Sequence, residues 1–202
     1  MKRKMEVEQD SSPFLSYTNV REQKTYTLIV NGEIVDPNDF VDHVYLIDQA
    51  EEQDEICIKL NSGGGSFSAV DYLLHALAKT PAHIHVEGTG IVASAATLIL
   101  LTADSFELSP NTDLLIHNCE WGYSGKHSDN MEYAKFADKQ NTKILHDFYD
   151  GMFTQEEFEQ LKSGKQFWMD VEEFVERFER RMKFLEDQDK PNTQGEAHED
   201  CE

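Results

Sequence analysis

A serine, a histidine and two glycine-rich segments are the residues of this chain whose types and spacing could do chemistry. Ser94 stands in Gly88-Thr-Gly90-Ile-Val-Ala93-Ser94-Ala95-Ala96, among small neighbours and just ahead of an apolar run. A hydroxyl at the start of a helix meets free backbone N–H groups and the positive end of the macrodipole, which together favour a developing oxyanion. Small neighbours let a planar carbonyl approach it closely. Asn61-Ser62-Gly63-Gly64-Gly65 is a second strand-to-helix turn, whose bare backbone can donate another N–H and line a substrate groove. No Gly-Lys-Ser/Thr follows it, so it is not a phosphate loop of the P-loop type. Leu114-Leu115-Ile116-His117-Asn118 ends an apolar strand on a histidine, at the strand edge where α/β proteins build their sites. Singly each feature is ordinary, since serines start many helices, histidines end many strands and glycine runs make loops. In this order they supply a nucleophile, a base and N–H donors, the parts of acyl transfer.

The elements that must position these groups are legible as strand–helix alternation. Tyr26–Val30 is rich in β-branched and aromatic residues and ends at Asn31-Gly32, a strand followed by a turn. Asp36-Pro37-Asn38-Asp39 opens a helix through Asp48. Ile56–Leu60 predicts a second strand, and Ala69, Val70, Leu73, Leu74 and Leu77 mark an amphipathic helix ending near Thr80-Pro81. The unit then repeats: a short strand at 84–86, a turn at Gly88 and Gly90, and a helix from Ser94 to Thr102 that is apolar all round and so predicts burial. Short strands at 106–108 and 113–116 follow. Such alternation with short connections implies an α/β fold with a largely parallel sheet and right-handed crossovers. Beyond His117 come a glycine-punctuated extended stretch, a long helix over 128–149, a helix from the Thr154/Glu157 capping box to Leu161, and another opened by Asp170 and Glu173.

Composition narrows the function classes. The chain has 202 residues, enough for one domain burying roughly 70% of its unfolded surface. Its 39 acidic against 18 basic residues give a net charge of −21, which excludes phosphate neutralisation and attraction to anionic lipid. No nucleic-acid or membrane partner is therefore expected. Cys57, Cys119 and Cys201 are odd in number and widely spaced, so they predict a reducing compartment with no disulfide frame, no zinc site and no metal. The opening MKRKMEVEQDSSPF lacks an apolar h-region, and the run from Gly90 to Ala103 is too short to span a bilayer, so a cytoplasmic protein is expected. Residues 1–22 read as a flexible arm, 23–184 as the domain, and 185–202 as a disordered acidic tail.

The ordered motifs resemble those of the Clp protease proteolytic subunit, within the wider ClpP/crotonase fold, over about residues 25–180. Asn61-Ser62-Gly63-Gly64-Gly65 is similar to the family's N-S-P-G-G, with Gly63 where proline is usual. Gly90-Ile-Val-Ala93-Ser94-Ala95-Ala96 is similar to the nucleophile segment, Leu115-Ile116-His117-Asn118 to the base segment, and Gly122-Tyr123-Ser124-Gly125 to the glycine-rich strand after it. The resemblance implies repeated β-β-α units with a protruding handle over about 120–150, and an axial role for the N-terminal segment. It implies Ser94 as nucleophile, His117 as base, and Gly65 and Ala95 as oxyanion-hole donors. Gly64, Tyr123, Ser124 and Gly125 would line the substrate groove. It further implies a polypeptide substrate, no cofactor, a homo-tetradecamer of two seven-membered rings, and a Clp-type AAA+ ATPase as partner.

The sequence departs from that family in two places. Where the family carries its third triad member, an aspartate, this chain reads Lys165-Gln166-Phe167-Trp168-Met169-Asp170, which puts Gln166 in the slot. A glutamine carbonyl can hold the histidine tautomer but cannot stabilise imidazolium by charge. Asp170, Glu120 or, by a one-residue shift, Lys165 stand as alternatives. The second departure is at the C-terminus, where Val175–Arg181 continues as helix in place of a glycine-centred return into a final strand. Two other readings follow: a catalytically weak or inactive assembly subunit, and an acyl-CoA enzyme of the crotonase branch, which shares a two-donor oxyanion hole.

Overall fold

The structure is a computed structural model, and it describes residues 5–6, 18–19, 22–120, 122 and 124–189. Met5–Glu6 (β1) and Thr18–Asn19 (β2) pair antiparallel; the rest of the proposed N-terminal arm, and the tail beyond residue 189, lie outside the described residues. The main sheet has six strands: Thr25–Asn31 (β3), Glu55–Ser62 (β4), His83–Ala93 (β5), Ser105–Leu108 (β6), Asp113–Ile116 (β7) and Phe167–Met169 (β8). Their order is β3-β4-β5-β7-β8, with β6 paired to the first part of β5. All pairs are parallel except β7 with β8, so the expected largely parallel α/β sheet is what forms. β4 alternates, with Ile56, Ile58 and Leu60 buried on one face and Lys59 exposed on the other.

The helices follow the local signals. A single 3₁₀ turn, Pro37–Phe40, is closed by a capping box between Asp36 and Asp39 and leads into Val41–Ile47 (α1). Phe67–Leu77 (α2) is capped by Ser66 and buries Ala69, Val70, Leu73 and Leu77. Ala95–Leu101 (α3) is buried from Ala95 to Leu100, as its unbroken apolarity predicts. His127–Tyr149 (α4) is the long helix, and Gln155–Lys162 (α5) starts at the Thr154/Glu157 capping box. Val171–Asp189 (α6) runs on as one helix, without a return into a final strand among the described residues.

Two expectations need correction. Gly88 and Gly90 do not make a turn: they lie within the eleven-residue β5, opposite a register shift in β4 between Leu60 and Ser62. Gly90 sits at φ +65°, and Asn61 Oδ1 fills the place a Cβ would take, accepting the Ile91 N–H at 3.2 Å. The glycines thus absorb a bulge and let one long strand serve two partners, β6 before it and β7 after it. The stretch similar to a glycine-rich strand is not a strand in the described residues 122 and 124–126, while Trp121 and Tyr123 lie outside them.

One ion-paired group ties the C-terminal helices together. The Arg177 guanidinium donates to Glu157 at 2.9 and 3.2 Å and to Glu173 at 2.9 Å, and stacks over Phe153 at 4.9 Å. The Arg177 bonds, aided by the Thr154 N–H, hold the Glu157 carboxyl down at about 2 from 4.5. The folded value lies below the unfolded one, so the stabilisation is complete above about pH 4.5 and fades as pH falls towards 2. Glu157→Gln should therefore lower the urea midpoint at pH 7 and leave it closer to the parent's at pH 2. A gap of equal size at both pH values would show that the carboxylate charge is not what matters.

Candidate functional site

Parallel strands deliver their following loops to one edge of a sheet, and three loops meet here. β4 runs out into Gly63-Gly64-Gly65, β5 into Ser94, and β7 into His117. Ala93 pairs with Leu115, and the Ser94 N–H donates to the Leu115 carbonyl at 2.8 Å, so the serine and histidine segments leave the sheet side by side. Ser62, which is buried, donates to the Gly32 carbonyl at 2.6 Å and accepts the Gly64 N–H at 3.1 Å, fixing the glycine turn.

Ser94 has φ +54° and ψ −128°, the one non-glycine residue at positive φ among the described residues. Such a backbone costs on the order of 1–3 kcal/mol and persists only where its surroundings hold it. Here the holders are the Leu115 bond and the Thr97 N–H and hydroxyl, which donate to the Ser94 carbonyl at 2.9 and 2.7 Å. Gly64 presses against this corner: a Cβ there would lie 2.6 Å from the Ala93 carbonyl oxygen and 2.7 Å from the Ser94 Cβ. Gly65, at φ +141°, bridges to Ile34, whose carbonyl a Cβ would strike at 2.0 Å. Side chains at both positions are thereby excluded. Neither Gly65 nor Ala95 donates its N–H to a described residue.

Ser94, Ala95, Gly65 and His117 line one cavity of about 530 Å³, walled by Ile34, Val35 and α4 residues. A second depression of about 550 Å³, lined by Gly64, Asn61 and Ile91, shares Glu33, Gly63 and Gly65 with it. The Ser94 hydroxyl and the His117 ring line the same cavity and make no hydrogen bond to each other. The carboxylates on the cavity wall are Glu33 and Glu120. Cys119 is there too, but desolvation, then Glu120, push its thiol upward, which disfavours a thiolate. Ser124 and Gly125 are exposed and line neither cavity.

The backbone decides where the third-member candidates stand. β7 and β8 pair antiparallel as Leu114–Met169, Leu115–Trp168 and Ile116–Phe167. The ladder ends at Ile116 and Phe167, and His117 and Gln166 are the next residues of the two segments. Gln166 is exposed and makes no hydrogen bond to a described residue. Lys165 is turned to Gln160 Oε1 at 2.7 Å and over the Phe167 ring. Asp170 lies at the far end of β8 and is used there, accepting the Glu173 N–H at 2.9 Å as the cap of α6.

Residues that motif reading did not single out complete the surroundings. Asn118 donates to the Lys162 carbonyl at 2.8 Å and accepts from Asn141, which also accepts the Cys119 N–H at 3.3 Å. This clamp fixes the chain just after His117 against α4 and α5. Thr97 and Tyr149 form a second link, with hydroxyls 2.7 Å apart. The one sequence signal for it is Thr97 itself, a hydroxyl three residues after Ser94 in an otherwise apolar helix.

A family model described as Clp protease matches residues 16–177. The chain is 28% identical over 156 residues to the ATP-dependent Clp protease proteolytic subunit 2 of Treponema denticola, covering 75% of this chain and 78% of that one. It is likewise 28% identical over 127 residues to the ATP-dependent Clp protease proteolytic subunit 1 of Shouchella clausii, covering 61% of this chain and 66% of the relative, just under two thirds of its length. Among the described residues no helix is long and apolar enough to cross a membrane.

Proposed function

The chain belongs to the Clp protease family, and we propose that within it the protein is a serine endopeptidase that cuts unfolded polypeptides. The observation that supports this best is the corner at Ser94. A hydroxyl is held at positive φ at the mouth of a buried helix, beside two uncommitted N–H groups and in one cavity with a histidine. Ser94 Oγ attacks the scissile carbonyl while His117 takes its proton, and the carbonyl oxygen becomes an oxyanion facing Gly65 and Ala95 N–H. The tetrahedral intermediate collapses, His117 returns the proton to the leaving amine, and water then releases the acyl group by the same steps. No metal or cofactor enters this scheme.

In the same reading, 23–184 is the peptidase unit and α4 forms the handle of two stacked seven-membered rings. Exposed Met131 and Phe136 on α4 are apolar side chains that such an assembly would cover. The names of the relatives point to ATP-dependent feeding, so a Clp-type AAA+ ATPase is the partner proposed, in the cytoplasm. The test is a fluorophosphonate probe on the purified chain, with the modified peptide identified by mass spectrometry. Modification at Ser94 is the expected result. The competing reading, a weak or inactive assembly subunit, draws on Gln166 in the carboxylate's slot, and an intact oligomer that takes no label would favour it.

A further inference from the structure

Tyr149 is fully buried at the end of α4 and its hydroxyl meets Thr97 Oγ1 at 2.7 Å. Thr97, itself buried in α3, has one hydroxyl proton, and its geometry directs that proton to the Ser94 carbonyl at 2.7 Å. The tyrosine must then be the donor to Thr97. It is fit for that role, because burial pushes its phenol up to about 12 and it keeps its proton at any working pH. The chain of donors therefore has a fixed sense: Tyr149 to Thr97 to the carbonyl of Ser94.

That carbonyl belongs to the peptide unit whose other end is the Ala95 N–H. The unit is planar and trans, so its C=O and N–H point in opposite directions and cannot turn independently. Whatever pins the Ser94 oxygen also aims the Ala95 N–H. We infer that Thr97 and Tyr149 are positioning residues for the oxyanion hole, holding the Ser94–Ala95 peptide unit at the orientation that points its N–H at the reacting carbonyl. Thr97 holds this unit at its carbonyl end, opposite the N–H, and Tyr149 holds Thr97. The pair also ties the hole to the last turn of α4, which Arg181 closes by donating to the Asp147 and Asp150 carbonyls at 2.9 and 2.8 Å. The inference rests on the serine-peptidase reading for its catalytic consequence, but not for its backbone consequence.

Both consequences are measurable on the full chain with Thr97→Val, Thr97→Ser, Tyr149→Phe and the Thr97→Val/Tyr149→Phe pair. Losing a whole oxyanion donor costs about 10²–10³ in turnover, so a donor left in place but loosened should cost about 10- to 100-fold for Thr97→Val and a smaller factor for Tyr149→Phe. The loss should fall on the acylation rate with KM nearly unchanged, because the ground-state carbonyl uses the hole less than the oxyanion does. Thr97→Ser should restore most of it. Tyr149→Phe should add little on top of Thr97→Val, as members of one chain are not additive. Hydrogen exchange across residues 93–98 should quicken in Thr97→Val and recover in Thr97→Ser. Acylation at the parent rate in Thr97→Val, a loss that Thr97→Ser fails to restore, or full additivity of the two changes would overturn the inference. If Ser94→Ala kept its activity, the peptidase reading would fall by itself, and the exchange data would still decide whether the pair holds this peptide unit.

Discussion

Ser94→Ala is expected to abolish labelling and to lower peptide cleavage by on the order of 10⁵–10⁶-fold, the scale seen when a peptidase loses its serine. One oxygen is removed and the Cβ stays, so the positive-φ corner and the Leu115 and Thr97 bonds to its backbone are unaffected. Thermal stability and oligomer size should therefore match the parent's. A trace of turnover above the uncatalysed rate should persist, because the Gly65 and Ala95 N–H groups still bind an oxyanion that water can generate. A contaminating peptidase would also leave activity, but that activity would keep reacting with the probe at another protein's serine. Retention of most cleavage by a homogeneous Ser94→Ala protein would remove Ser94 from the mechanism. Cys119 would then have to be tested, against the expectation from its upward-pushed thiol.

Why are the serine and histidine segments legible in the sequence while the contacts that support them are not? The motifs are local: a small-residue run before an apolar helix, and a histidine closing an apolar strand, are visible in ten residues each. The elements with strong local signals, α2, α5 and the buried α3, also lie close to where periodicity and capping place them. β5 is hard to read locally because glycine is ambiguous: Gly88 and Gly90 read as a turn, and only the Asn61 side chain, which accepts the Ile91 N–H from thirty positions away, makes a bulge of them. β8 is three residues long and is defined by pairing with β7, so no period within it could announce it. Thr97 and Tyr149 meet across fifty-two positions, a separation that no window spans. The antiparallel register of β7 and β8 is likewise non-local, because it pairs residues more than fifty positions apart.

Gln166→Asp is expected to raise the acylation rate by about 10²-fold or more, since loss of the triad carboxylate in a serine peptidase costs up to about 10⁴. Directly opposite residues on antiparallel strands hold their Cβ atoms about 4.5–5.5 Å apart, within reach of a short carboxylate and an imidazole. His117 and Gln166 are the next residues of the two segments beyond the last such pair, Ile116 and Phe167. Lys165 and Asp170 are occupied elsewhere, by Gln160 and by the cap of α6. An aspartate would hold the ring tautomer as the glutamine carbonyl does, and would also stabilise the imidazolium that forms during attack. The gain should accordingly appear in acylation, with KM nearly constant. The same negative charge favours protonation of the free histidine, so the acid limb of the pH–rate profile should move to higher pH as the rate at its plateau rises. Gln166→Ala should lower the rate modestly, because orientation is lost but no charge is. Glu120, the carboxylate nearest in sequence to His117 on the cavity wall, is the competitor. If it already serves the ring, Gln166→Asp would set two carboxylates around one imidazole and bring no gain, and Glu120→Gln would be the damaging change. Acylation rates and pH profiles of the three variants against the parent decide between the two residues, and indifference to all three would leave a Ser94–His117 dyad working alone.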